Sequence, residues 1–200
     1  MKKAFMTFAA AAILVLPAIG QASTWKIDPD HSNVGFKVRH MMVSNVKGVF
    51  HKFSGTVKLD EKDITNSSVS AAIDTASIDT GVGMRDKDLR SDHFLDVAKY
   101  PTMTFVSTSV AKSGAEGLKV TGNLTLHGVT RQVVLDVEGP SQEVRDPKGT
   151  LRRGASASTR IDRKDFGLTW NKVMEAGGVL VGDEVVISIE VEMVKLNDRN

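Results

Sequence analysis

Apolar and polar residues alternate along most of this chain. Val34, Phe36 and Val38 are separated by Gly35 and Lys37, and Gly55, Val57 and Leu59 repeat the spacing. Val69, Ala71 and Ile73 follow it, as do Met103 and Phe105, then Val120, Gly122, Leu124 and Leu126. Val129, Val133, Leu135 and Val137 come one short turn later, then Ala155, Ala157 and Ile161, and finally Val185, Ile187, Ile189, Val191 and Met193. A period of two over many short runs predicts half-buried antiparallel strands, about eight of them. Ser113-Gly114, Glu116-Gly117, His127-Gly128, Pro147-Lys148-Gly149 and Gly177-Gly178 supply the turns. Helical and strand patterns do not alternate, which argues against a parallel α/β sheet. The pattern predicts an all-β domain, as a sandwich or a closed barrel. A barrel has no open edges. With eight strands it is filled by side chains or holds one small ligand.

Residues 85–101 depart from the alternation. The segment carries Arg85, Asp86, Lys87, Asp88, Arg90, Asp92 and Asp96, with Leu89, Phe94 and Leu95 on one side and Pro101 as a stop. A helix of about two turns is the expected form. It is too short to stand alone and must pack on something. Covering one end of a barrel would bury Leu89, Phe94 and Leu95. Its charges read as a solvated, ion-paired helix surface in preference to acid–base machinery.

The N-terminus changes the charge argument. Lys2 and Lys3, an apolar run from Phe5 to Leu16, Pro17, and small residues ending at Ala22 form a secretory leader over residues 1–22. The run is too short to span a bilayer comfortably. The whole chain holds 26 basic and 24 acidic side chains. Loss of Lys2 and Lys3 leaves 24 of each (26 minus 2), so bulk charge gives no reason to seek nucleic acid or an anionic surface. The remaining residues 23–200 suit one domain with its own core. No cysteine is present, which excludes disulfides, thiolate nucleophiles and thiolate metal ligands. A soluble periplasmic product is expected.

Catalytic motifs are absent. There is no Gly-x-Ser-x-Gly elbow and no phosphate-cradling loop. The five histidines, His31, His40, His51, His93 and His127, form no paired-ligand spacing. No cofactor, metal or catalytic residue is expected. Asn66 and Asn123 match the glycosylation sequon but carry little weight in a chain with a bacterial type of leader.

Fragments in order carry a resemblance. They begin with Trp25-Lys26-Ile27-Asp28, His31-Ser32 and Phe36, followed by Gly48-Val49-Phe50 and Phe53-Ser54-Gly55. Next come Ser77-Ile78-Asp79-Thr80, Arg85-Asp86, Phe94 and Tyr100-Pro101-Thr102-Met103-Thr104-Phe105. Gly122-Asn123-Leu124-Thr125-Leu126-His127-Gly128, Arg163-Lys164-Asp165-Phe166-Gly167-Leu168 and Gly182-Asp183-Glu184-Val185 complete the set. Their order and spacing resemble the YceI-like family of bacterial exported polyisoprenoid-binding proteins. The resemblance implies a lipocalin-like antiparallel β-barrel of about eight strands with a short capping helix. It also implies an elongated apolar pore for a long isoprenoid, quinone-like or acyl chain, and no established catalysis. The chain departs from the family at three positions. The family often has His where Asp88 stands, an acid where His93 stands, and Trp where Lys148 stands.

The expected lining is Val34, Phe36, Val38, Ile73, Met103, Phe105, Leu124 and Leu126. Phe50, Phe53, Leu89 and Phe94 are added near the cap, and Phe166 and Trp170 from the last third. Burying a methylene contributes about 0.8 kcal/mol and a five-carbon isoprene unit roughly 3 kcal/mol before ordering costs. Hydrocarbon length is therefore expected to matter more than head-group chemistry. Two rivals stand beside a lipid carrier. One is an enzyme acting on a prenyl or quinone-like substrate, marked by a polar cluster at the bottom of the cavity. The other is a stress-related interaction module, marked by a solid core. A homodimer is compatible with the sequence, although no feature argues for one.

Overall fold

A computed structural model describes residues 22–115, 117–175 and 177–196. The leader expected over residues 1–22 lies outside the described residues, apart from Ala22. The strands are β1 (Ser23–His40), β2 (Ser44–Phe50), β3 (Phe53–Leu59), β4 (Ser68–Asp74), β5 (Ile78–Asp79) and β6 (Thr102–Ser113). They continue with β7 (Gly117–Leu126), β8 (Val129–Glu138), β9 (Val144–Arg145), β10 (Leu151–Asp162) and β11 (Val181–Lys195), and one helix, α1 (Gly83–Arg90), lies between β5 and β6. All the strand pairings are antiparallel.

Eleven strands reduce to an eight-stranded barrel. The C-terminal half of β1 pairs with β2 and its N-terminal end with β3, so β2 and β3 act as one wall strand broken at His51 and Lys52. β5 pairs with β2 and β4 with β3, which makes β4 and β5 a second interrupted wall strand. β6, β7, β8, β10 and β11 follow, and pairing of β11 with β1 closes the ring. β9 is a short outer addition to β10. Closure leaves no long edge strand exposed among the described residues, which decides between the sandwich and the barrel that the period-two pattern left open.

Two irregularities reverse the inward phase. On β1, Trp25 and Ile27 face inward at odd positions and Val34, Phe36 and Val38 at even ones, with a register shift between Asp28 and Asn33. On β6, Met103 and Phe105 face inward, a shift follows between Ser107 and Ser109, and Val110 then takes the inward place. A one-residue change of register moves every later side chain to the other face.

The buried core falls into two clusters. Trp25, Ile27, Leu59 and Met193 form a floor at one end. Val34, Phe50, Leu95, Met103, Phe166 and Leu168 belong to the larger cluster, which lies toward the α1 end. No described helix is long and apolar enough to cross a membrane.

Candidate functional site

An apolar lumen of about 320 Å³ runs between these clusters, from Trp25, Leu59 and Met193 at the floor to Leu89, Phe94 and Leu95 at the cap. Its volume lies at the lower end of the roughly 300–1,000 Å³ range of small-molecule pockets. Arg163 is the one ionisable residue among the lining residues described. Its guanidinium is consumed structurally: it donates to the carbonyls of Gly182, Leu168 and Trp170 and to Asp183. Burial nonetheless pushes its pKa down. At the floor the described lining is Trp25, Ile27, Leu59 and Met193, and its neighbours Asp28 and Glu192 are not among the lining residues.

Glycines widen the lumen. Phe36 stands across from Gly48 in the β1–β2 register, and a Cβ built on Gly48 would lie 2.4 Å from the tip of its ring. The Phe105 ring lies over Gly122 in the same way, again at 2.4 Å. Both rings therefore lie against the wall instead of across the cavity. Gly48→Ala is expected to push Phe36 inward, weaken uptake of an apolar chain several-fold, and destabilise by about 1–3 kcal/mol through overpacking. Titration of a fluorescent acyl probe and a thermal melt check both parts; unchanged probe affinity would mean that the ring does not border the occupied space.

Twelve of the fourteen positions expected to line the lumen do so; Phe166 and Trp170 do not. Phe166 sits on the 3-10 turn Arg163–Phe166 and is 1% exposed, packed in the cluster beneath the cap. Trp170 is only partly buried and holds the cap from outside: His93 stacks on it at 5.7 Å and Phe94 tilts against it at 5.1 Å. The expected set omitted the walls contributed by β8 (Val133, Leu135, Val137) and β11 (Val185, Ile187, Ile189). Their period-two pattern was the available signal, but phase alone does not distinguish a lumen from an outer packing layer.

The cap is held differently from the expected ion-paired surface. Asp86 is buried at 6% exposure and accepts from the backbone N–H and hydroxyl of Thr80. Arg85 donates to the Thr80 hydroxyl and carbonyl, and Arg90 to the carbonyls of Ala76 and Ile78. These charges satisfy backbone groups next to β5 instead of pairing with one another. α1 offers only Met84 and Leu89 as apolar residues, so charge-assisted hydrogen bonds replace the missing hydrophobic face. The departures at Asp88 and His93 fall on one contact, with Asp88 Oδ1 accepting from His93 Nδ1 at 2.9 Å.

A polar network lies at the floor end. Arg152 donates to Asp28 (2.7 Å), Asp146 (2.9 Å) and Glu192, tying β1, β10, β11 and the β9–β10 turn together. Asp28, His31 and Glu192 are close enough to suggest metal ligands, but the guanidinium bridges the two carboxylates and serves as their cation. Hydrogen bonds from Arg152 and then His31 lower the Asp28 pKa from 3.8 to about 2. Arg152, followed by the Thr150 N–H, also lowers that of Asp146. A depressed carboxylate contributes stability that is full above its unfolded value and is lost as pH falls through its folded value. Unfolding free energy is therefore expected to drop as pH falls from about 4 toward 2. Arg152→Met is expected to raise the Asp28 pKa, with His31 and the Asp30 N–H still holding it below the ordinary value, which NMR titration of its carboxyl reads directly. An ordinary Asp28 pKa in the unmodified protein would contradict the network.

The YceI-like domain matches residues 25–193 of the chain. Protein YceI of Salmonella newport is 41% identical over 192 residues, covering 95% of this chain and 97% of that protein. Among solved structures, Burkholderia cenocepacia BcnA superposes with a TM-score of 0.71 at 27% identity, covering 83% of this chain and 98% of that one. A domain from Saccharophagus degradans shares the fold at a TM-score of 0.60 and 18% identity, over 86% of this chain and 98% of that one.

Proposed function

This chain belongs to the YceI-like family, and from that we propose that it sequesters or carries a long isoprenoid or similar lipid chain in its barrel lumen. The family is one of binding proteins without catalytic activity. The observation that carries the reading is the lumen itself, apolar from the Trp25 floor to the Phe94 cap, with its one ionisable lining residue already satisfied. The Saccharophagus protein is described as a polyisoprenoid binding domain, which favours a prenyl chain over a compact ligand. The positions proposed to touch the chain are the twelve lining residues among those expected. The leader pattern of residues 1–22 supports export to the periplasm.

The binding energy of such a carrier comes from hydrocarbon burial, so affinity is expected to follow chain length. Each added isoprene unit should strengthen binding about tenfold after ordering costs, until the lumen is full. Isothermal titration with prenyl alcohols of increasing length checks this. Affinity independent of length, or set by the head group alone, would overturn the proposal.

A further inference from the structure

Six of the ten large apolar residues exposed among the described residues belong to the cap end of the barrel. They are Met41, Met42, Val43, Val82, Met84 and Val173, with exposures between 44% and 88%. The first three form the tip joining β1 to β2. Met41 N–H donates to the Leu180 carbonyl, and Met42 packs with Met174 over Gly178, so this tip and the loop before β11 make one apolar lip. Val181, directly across from His40 in the β1–β11 register, lines the lumen, so the lip is continuous with it.

Two local choices at this lip run against folding preference. Met41 and Met42 both adopt left-handed backbone, with φ of 50° and 60°, in a tight turn where Asn and Gly are favoured. A turn of two strained, exposed methionines is not explained by stability. Immediately below, Lys37 and Lys47 face each other across β1 and β2 on the outer surface, a like-charge pair that disfavours the sheet. Arg39 and Lys172 are exposed beside them. Glu175 is the exposed acid on the same segments, whereas Asp183 is held by Arg163 and Lys164 and Glu184 by Arg160. Apolar side chains projecting above a cationic belt are complementary to a bilayer with anionic head groups: the methionines enter the acyl boundary while the lysines meet phosphates.

We propose that the lip formed by residues 41–43, 173–175 and 177–180 docks this protein on an anionic lipid bilayer, presenting the cap end of the lumen to the membrane. The purpose of such docking rests on the carrier reading; its geometry does not. The test pairs Met41→Asn with Met42→Gly, residues suited to the left-handed turn, so loss of folding is not expected. Sedimentation of the purified protein with phosphatidylglycerol-containing vesicles is expected to fall at least about tenfold in this variant. Binding of farnesol supplied from solution, and the melting temperature, should be unchanged or higher. Lys37→Gln with Lys47→Gln should reduce binding to these vesicles toward the level seen with phosphatidylcholine alone. The proposal is overturned if the unmodified protein does not sediment, if it sediments equally with neutral vesicles, or if the methionine variant sediments like wild type. It is also overturned if the methionine variant abolishes a dimer seen by sedimentation velocity while vesicles stay bare, which would make the lip an interface between copies. Farnesol binding without vesicle binding sinks the lip alone, and vesicle binding without farnesol binding sinks the carrier reading alone.

Discussion

Leu124→Asp is expected to abolish uptake of a prenyl chain while leaving the barrel folded. Leu124 lies opposite Phe105 on β7 and faces the lumen, where the described wall offers no free cation. A carboxyl there lacks a partner when hydrocarbon displaces its water. The penalty for burying it so is at least about 3 kcal/mol, or roughly 100-fold in affinity, even when the group protonates. Without ligand the same carboxyl faces an open cavity, so the fold loses little. Phe36→Asp is expected to behave likewise. Near-ultraviolet circular dichroism reports the fold, and displacement of a fluorescent acyl probe reports binding. If a folded variant binds as tightly as wild type, Leu124 does not border the chain.

Trp25→Ala should give the opposite division of effects. Trp25 is 0% exposed, its indole N–H donates to the Ser23 hydroxyl at 2.8 Å, and Arg153 and Lys195 lie over its ring at 5.3 and 5.4 Å. It fills the floor with Ile27, Leu59 and Met193, where β1 meets β3 and β11. Removing a ring so enclosed costs about 3–5 kcal/mol. For a barrel of this size, that lowers the melting temperature by roughly 10 °C. Binding should persist, because the change deepens the lumen without charging it. A melting temperature within about a degree of wild type would mean that the floor is not a structural anchor.

The sequence pattern carried the strand content and much of the lumen, because a barrel wall obeys one rule: every second residue faces in. It failed where that rule breaks. Trp25 and Val110 face the lumen out of phase with Phe36 and Phe105, because shifts after Asp28 and Ser107 reverse each strand; Pro29 stands at the first shift, but Ser107-Thr108-Ser109 gives no such mark at the second. The cap was legible as a short helix with Leu89 and Phe94 turned inward, but the helix ends at Arg90 and Phe94 reaches the lumen from the turn after it, and the use of its charges was not legible. Asp86 and Arg90 bind Thr80, Ala76 and Ile78, segments that pattern reading treats separately from the helix. Trp170 showed the same limit. Its aromatic ring suggested a lining residue, yet it braces Phe94 and His93 from outside. Choosing a barrel over a sandwich also needed more than periodicity. The closing contact joins β1 to β11, strands at opposite ends of the described chain, and nothing local records that pairing.

A lumen that holds a hydrocarbon chain in the cell should carry it through purification from the native host without detergent, so that denaturing the protein and identifying the extracted lipid by mass spectrometry reads the cargo itself. A stoichiometric long-chain isoprenoid or related lipid is predicted, and it should be missing from the Leu124→Asp variant prepared in parallel. Recovery of no hydrophobic molecule, together with no binding of added polyprenyl or acyl chains, would contradict the account.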